Sequence, residues 1–206
     1  MFYISHDPIL ISTDFTQAIL YGALEVLGSG ELKKLLRLPE DRYLSLSDCG
    51  VQGLSSSVCM ELLNAFIGQY GLITAQGICL RIGRATFQFL RRKHPEIIFN
   101  NSVEQRMRPL EERIMNELVN LTQWLQKNLA CQIGMEKEKE DWIIRMKLFE
   151  KCHPEINMIS FYFFNGILQE CLEWMDSRHS YKIEMLSDLM GSLSSYSISI
   201  CYQSIN

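Results

Sequence analysis

The sequence predicts an α+β domain in which an N-terminal helical layer packs on a small twisted antiparallel sheet. Two observations carry this expectation. Apolar residues recur at helical spacing up to about residue 130, and beyond it four short runs alternate apolar and polar residues around one long apolar stretch. At 206 residues the chain is long enough for a substantial single core. We therefore expect one domain, 1–206, with a helical part at about 1–129 and a sheet-bearing part at about 130–206.

The first helix is expected from a cap at Ser12 or Thr13 to Leu27, where Gly28-Ser29-Gly30 breaks it. A short second helix follows and stops before Pro39. "YLSLSDCGVQGLSSS" is rich in turn formers, and Ser57 is expected to cap a third helix that ends at Gly71. "AQGICLRIGRATFQFL", residues 75–90, resembles a phosphate-binding loop at first sight. Its glycines, Gly77 and Gly83, are separated by five residues instead of four, Arg84 replaces the lysine, and Ala85 stands where a hydroxyl is required. A helix explains it better, with Ile78, Ile82, Ala85 and Phe89 on one stripe. Its two mid-helix glycines, each costing about 1 kcal/mol against alanine, suggest close approach of another element. That helix should stop near His94-Pro95, and Pro109 should open the next, with Leu110, Ile114, Leu118, Leu121 and Leu125 inward.

The period then changes. "CQIGMEKEKEDWIIRMKLF" reads as two strands around a charged turn at residues 137–141, with Trp142, Ile144 and Met146 on one face. "ISFYFFNGILQECLEWMDS" is expected to be a buried helix, and "YKIEMLSDLMG" with "SSYSISICYQ" a closing hairpin with Ile198, Ile200 and Tyr202 on one face. The order is helices, then strand-strand-helix-strand-strand.

A net charge of −4 gives no basic excess for a nucleic-acid backbone. No apolar run is long enough to span a bilayer, and the N-terminus does not read as a signal peptide. Seven cysteines, odd in number and without paired spacing, fit reduced thiols, so a cytoplasmic location is expected. None of the four histidines has a partner histidine at helical ligand spacing; Cys152-His153 is the single adjacent pair of soft ligands. Glu111-Glu112 and residues 136–140 read as solvated charge. The cluster Phe161 to Phe164 with Trp174 suits a core or a cavity wall equally. Arg81 and Arg84, on one edge of a mostly buried helix, need anions, either from this chain or a second copy, or from a ligand carboxylate.

Two blocks, "YGLITAQGICLRIGRATF" (Tyr70 to Phe87) and "NGILQECLEWMDSRHSYKIE" (Asn165 to Glu184), together resemble the vinyl-4-reductase-type, or hydrocarbon-binding, domain proteins of bacteria and archaea. The resemblance implies the fold of the small subunits of the transport-protein-particle (TRAPP) tethering complex, a hydrophobic tunnel, and a homodimer. Many such proteins hold zinc through a motif whose positions here are Phe149, Cys152, Glu184, Ser187 and Ser195, most of the thiols being replaced. Neutral serine is a poor zinc ligand, so no metal is expected.

The expected function is non-enzymatic binding of a small hydrophobic or amphipathic molecule, of aromatic, fatty or tetrapyrrole type, as a sensor or carrier without a cofactor. Its pocket is placed between the last long helix and the strands, lined by Trp142, Phe164, Ile167, Leu168 and Trp174, with Arg81 or Arg84 meeting an acidic group. A structural homodimer without ligand and a part in chlorophyll-pigment vinyl reduction are the alternatives; no dinucleotide-binding glycine motif supports the latter.

Overall fold

The structure, a computed structural model, describes residues 11–36, 56–95, 107–129, 131–139, 141–147, 154–186 and 195–203. Its helices are α1 (Thr13–Leu27), α2 (Ser29–Leu35), α3 (Ser56–Tyr70), α4 (Leu72–Lys93), α5 (Leu110–Leu129) and α6 (Pro154–Met175). The strands are β1 (Gln132–Glu138), β2 (Asp141–Lys147), β3 (Ser180–Leu186) and β4 (Ser195–Gln203). The α+β class and the strand-strand-helix-strand-strand order are those the periodicity predicts. The stop at Pro39 lies outside the described residues.

Ser12 caps α1. Its side chain accepts from the Phe15 amide at 3.2 Å, and its hydroxyl donates to Asn128 Oδ1 at 2.6 Å, which ties α1 to the end of α5. Gly28 and Gly71, with φ of 79° and 73°, make the breaks between α1 and α2 and between α3 and α4. The third helix begins one residue before the expected cap, so Ser57 lies within its first turn. α4 ends at His94, whose amide donates to the Leu90 carbonyl.

The sheet is antiparallel in the order β1-β2-β4-β3. The first hairpin is tighter than the sequence suggests. The strands pair up to Glu138 opposite Asp141, and Lys139 takes a left-handed φ of 57° in the two-residue turn. Trp142, Ile144 and Met146 share one buried face with Ile198 and Ile200. The side chain of Tyr202 lies outside the described set. On the other face Arg145 pairs with Glu136 and Glu138, and Lys182 with Glu184. The first face covers the core, while the second carries these exposed charges around a buried centre of Ile143, Ser197 and Ser199.

α4 is the central helix, packed by α1 on one side and α6 on the other. Both crossings bring backbone against backbone. A Cβ added at Gly83 would lie 2.0 Å from the Phe163 carbonyl oxygen, and one at Gly166 2.0 Å from that of Leu80. At Gly22 a Cβ would meet Thr86 Oγ1 at 2.6 Å. The expected close approach is thus found at Gly83, whereas nothing lies within 4 Å of a Cβ at Gly77. Buried apolar side chains form two clusters. One joins α5, α6 and the sheet to the start of α1; the other joins α2, α3, the first half of α4 and Ala23.

Candidate functional site

At the seam between the two clusters lies an apolar cavity of about 110 Å³. Helical spacing builds its walls. α1 supplies Phe15, Ile19, Leu20 and Ala23, α4 supplies Cys79 and Ile82 three residues apart, and α6 supplies Ser160, Phe163 and Phe164. Leu32 of α2 and Leu62, Leu63 and Phe66 of α3 cover one side; Ile11 and Leu129 complete it. The space exists because small residues, Ala23, Cys79 and Ser160, occupy wall positions where a larger side chain would reach inward.

Polar groups on the wall are sparse. Burial pushes the Cys79 thiol up to about 12, so it is neutral at physiological pH. Ser160 is buried on the opposite wall. Outside the cavity, α2 and α3 are tied by Glu31, which accepts from the Tyr70 hydroxyl at 2.9 Å and from the Gln69 amide. Burial and the neighbouring Glu31 carboxylate push the Tyr70 hydroxyl up to about 12.

The residues expected to bind ligand are dispersed. Phe164 alone among them lines the cavity. Ile167 and Leu168 are packed between α6 and the sheet, where Ile144, Ile198 and Ile200 are at most 1% exposed. Trp142 belongs to that packing and stacks near Tyr181. Trp174 is at the surface under the Arg91 guanidinium. Arg81 is exposed. Arg84 pairs with acids of its own chain, its Nε donating to Glu170 at 2.7 Å and its Nη2 to Glu173 at 2.5 Å, while Gln88 donates to the other Glu170 oxygen. The hydrogen bond to Glu170 raises the guanidinium's pKa against the opposing effect of burial. Arg84→Met is expected to lower stability by about 1 kcal/mol, measured by urea unfolding. The arm to Glu173 is exposed and contributes little, and Glu170 keeps Gln88.

Glu184, one of the zinc-motif positions, is exposed and paired with Lys182. Ser195 opens β4; Phe149, Cys152 and Ser187 lie outside the described residues, as do His6 and His153. Among the described residues no cluster of three or more His, Cys, Asp or Glu side chains could hold a metal ion. No described helix is long and apolar enough to cross a membrane.

Sequence reasoning missed the cavity because its walls read as ordinary inward faces of amphipathic helices. The available signal was the small residue at an inward position, Ala23 on α1 and Ser160 on α6.

No protein-family profile matches the chain, and no curated protein is similar to it. Solved structures are similar to it in fold. A Tt H-NOX variant superposes with a TM-score of 0.63 at 11% identity, covering 96% of this chain and 97% of that one. An H-NOX protein from S. oneidensis in the Fe(II)NO ligation state gives 0.61 at 11% identity, over 94% of this chain and 100% of that one. An H-NOX mutant from K. algicida gives 0.57 at 12%, over 94% and 97%. These neighbours overturn the resemblance to vinyl-4-reductase-type and TRAPP-small-subunit proteins, and the vinyl-reduction alternative that rested on it falls too. The two sequence blocks that carried the resemblance include the α4 and α6 crossing segments, where Gly83 and Gly166 are required by close helix packing. Over nearly its whole length, the chain has the fold of the H-NOX structures.

Proposed function

We propose that this chain is a non-enzymatic binding domain that takes a small, neutral, apolar molecule directly into the cavity between α1, α3, α4 and α6. The observation that carries the reading is the cavity itself, about 110 Å³ of space walled by aliphatic and aromatic side chains. At ~30 Å³ per water-sized group, it has room for about four such groups. A benzene-sized guest occupies a cavity of about 150 Å³, so the fitting guests are smaller: a noble-gas atom, a small gas molecule or a short hydrocarbon. The fatty, aromatic and tetrapyrrole ligands expected from the sequence exceed it. Its place between two core clusters supports a sensor, since filling the seam alters how α2 and α3 seat on α1 and α4.

Among the similar structures, one concerns the Fe(II)NO state and another the modulation of heme redox potential through porphyrin distortion. Heme would need an iron ligand and space for a macrocycle. The described wall residues include no imidazole, the Cys79 thiol is neutral, and no cation lines the cavity to meet propionates. The described residues therefore do not fit heme, and the guest meets protein side chains alone.

Xenon is the probe. Pressurised xenon is expected to shift methyl resonances of Ile82 and Leu20 saturably and to raise Tm. Ala23→Leu, which fills the space at a stability change of about 1 kcal/mol, is expected to abolish the response. No xenon response in the folded wild-type chain, or a stoichiometric Soret band on titration with hemin, overturns the proposal.

A further inference from the structure

The walls of the apolar cavity differ in how they are held. α1, α4 and α6 cross with backbone against backbone, where an added Cβ would strike at Gly22, Gly83 and Gly166. These three helices part only by breaking those crossings. α2 and α3 cover the cavity with side chains, Leu32 from α2 and Leu62, Leu63 and Phe66 from α3. Their glycines make no such crossing: a Cβ at Gly30 or Gly68 would meet nothing within 4 Å.

Leu32 and Phe66, both buried, face the cavity from these two helices. A polar bridge lies just outside them. Glu31 precedes Leu32, and Tyr70 follows Phe66 by one helical turn, its ring 5.9 Å from the Phe66 ring. Glu31 accepts from the Tyr70 hydroxyl at 2.9 Å and from the Gln69 amide, and Lys34 lies 3.5 Å from its other oxygen. α2 starts after Gly28 and α3 ends before Gly71, the two glycines with positive φ. Glycine accepts backbone rotation that other residues resist, so each helix is joined to the rest of the fold by a pivot.

We propose that the seam between α2 and α3 is the door of the cavity, and that the bridge from Glu31 to Tyr70 and Gln69 is its latch. α3 swings about Gly71, Phe66 parts from Leu32, and the guest passes between them. The inference rests on the cavity being a guest site. None of the latch residues lines the cavity, so the bridge sets how fast a guest exchanges and leaves its affinity unchanged. Breaking it leaves the walls apolar.

Cys79 is a built-in reporter. It lines the cavity from α4 and is 3% exposed. Cys171, at 0% exposure in the packing of α6, reports wider unfolding. The full chain is treated with methyl methanethiosulfonate, and the labelling rate of each cysteine is followed by mass spectrometry. Tyr70→Phe keeps the ring and removes the hydroxyl. It is expected to speed Cys79 labelling by about threefold or more, the scale of one partly exposed hydrogen bond to a charged group, and to leave Cys171 as in wild type. Glu31→Ala speeds Cys79 further, and Glu31→Gln, which keeps an acceptor, falls between wild type and Glu31→Ala. Xenon exchange, followed by xenon NMR, accelerates in the same variants at unchanged affinity. Bound xenon with unaltered Cys79 labelling overturns the latch and leaves the guest site. Faster Cys79 labelling without bound xenon overturns the guest site and upholds the seam as the way the cavity opens. Equal acceleration of Cys79 and Cys171 overturns the latch, because the variants then loosen the whole fold.

Discussion

Gly166→Ala is expected to lower stability by about 3 kcal/mol or more, a fall in Tm of roughly 6–12 °C for a chain of this size. The new methyl group would sit 2.0 Å from the Leu80 carbonyl oxygen and 3.0 Å from the Arg84 amide nitrogen, both backbone atoms of α4. A flexible side chain could rotate away; a helix backbone cannot. α4 is held on its far side by α1, where Gly22 already lies against Thr86 and the Ile82 carbonyl, so it has no room to retreat. The helices must separate, and Cys79, Ile82, Phe163 and Phe164 move with them. The xenon response should weaken in parallel. Gly77→Ala is the matched control, on α4 rather than α6, exposed and with nothing within 4 Å of the added Cβ. It should raise stability by about 0.5–1 kcal/mol through helix propensity alone. Thermal unfolding of the two variants should therefore move in opposite directions. Equal shifts would show that the close crossing of α4 and α6 is not what holds the fold.

Asp176→Asn is expected to cost about 2–3 kcal/mol, the scale of hydrogen bonds to a buried charged group. Asp176 ends α6 with its side chain 1% exposed, and it gathers the turn into β3. Its carboxylate accepts from His179 Nδ1 at 2.5 Å, the Tyr181 hydroxyl at 2.9 Å and the Arg178 amide at 3.3 Å. Burial alone would push this carboxyl up. The hydrogen bonds from His179, Tyr181 and Arg178 and the charge of His179 together outweigh it, and the net pKa lies below the usual carboxylate value. The sign of the pH effect follows. A carboxyl whose pKa is lower folded than unfolded stabilises fully above the unfolded value of about 3.9. That contribution fades as pH falls through the folded value. Wild-type stability should therefore drop on acidification below about pH 4, and Asp176→Asn should lose this group's share of the drop. Urea midpoints measured from neutral to acid pH would test it; an unchanged acid limb in the variant would assign the pH dependence to other carboxyls.

Much of the fold was legible because its elements carry local signals. The Ser12 cap, the Gly28 and Gly71 breaks and Pro109 before α5 each act on the backbone within a few residues, so they can be read without knowing the partner. The spacing of Trp142, Ile144 and Met146 at every second position likewise foretold which face of β2 turns inward, although Ile143 between them is buried too. The charged turn was placed too broadly because Glu138 and Asp141 look like loop residues, yet they pair across the last rung of the hairpin. Gly77 and Gly83 look alike in sequence, and only the approach of α6 separates them: one is covered by the Phe163 carbonyl and the other faces open space.

The candidate sites were much less legible. Arg84 could be recognised as needing an anion, but Glu170 and Glu173 sit more than 80 residues away, on α6. Trp174 and Phe164 share a helix and an aromatic character, yet one is at the surface and the other lines the cavity.

By itself, the sequence determined the class of the domain, the order of its helices and strands and the inward face of the first hairpin. These are properties of periodicity and capping, each set within one element. Tertiary structure alone decided that an apolar cavity lies among α1, α3, α4 and α6, and that Ile167 and Leu168 join the packing of α6 on the sheet. A cavity is a shortfall in volume summed over side chains from distant elements, and no single segment carries a record of that sum.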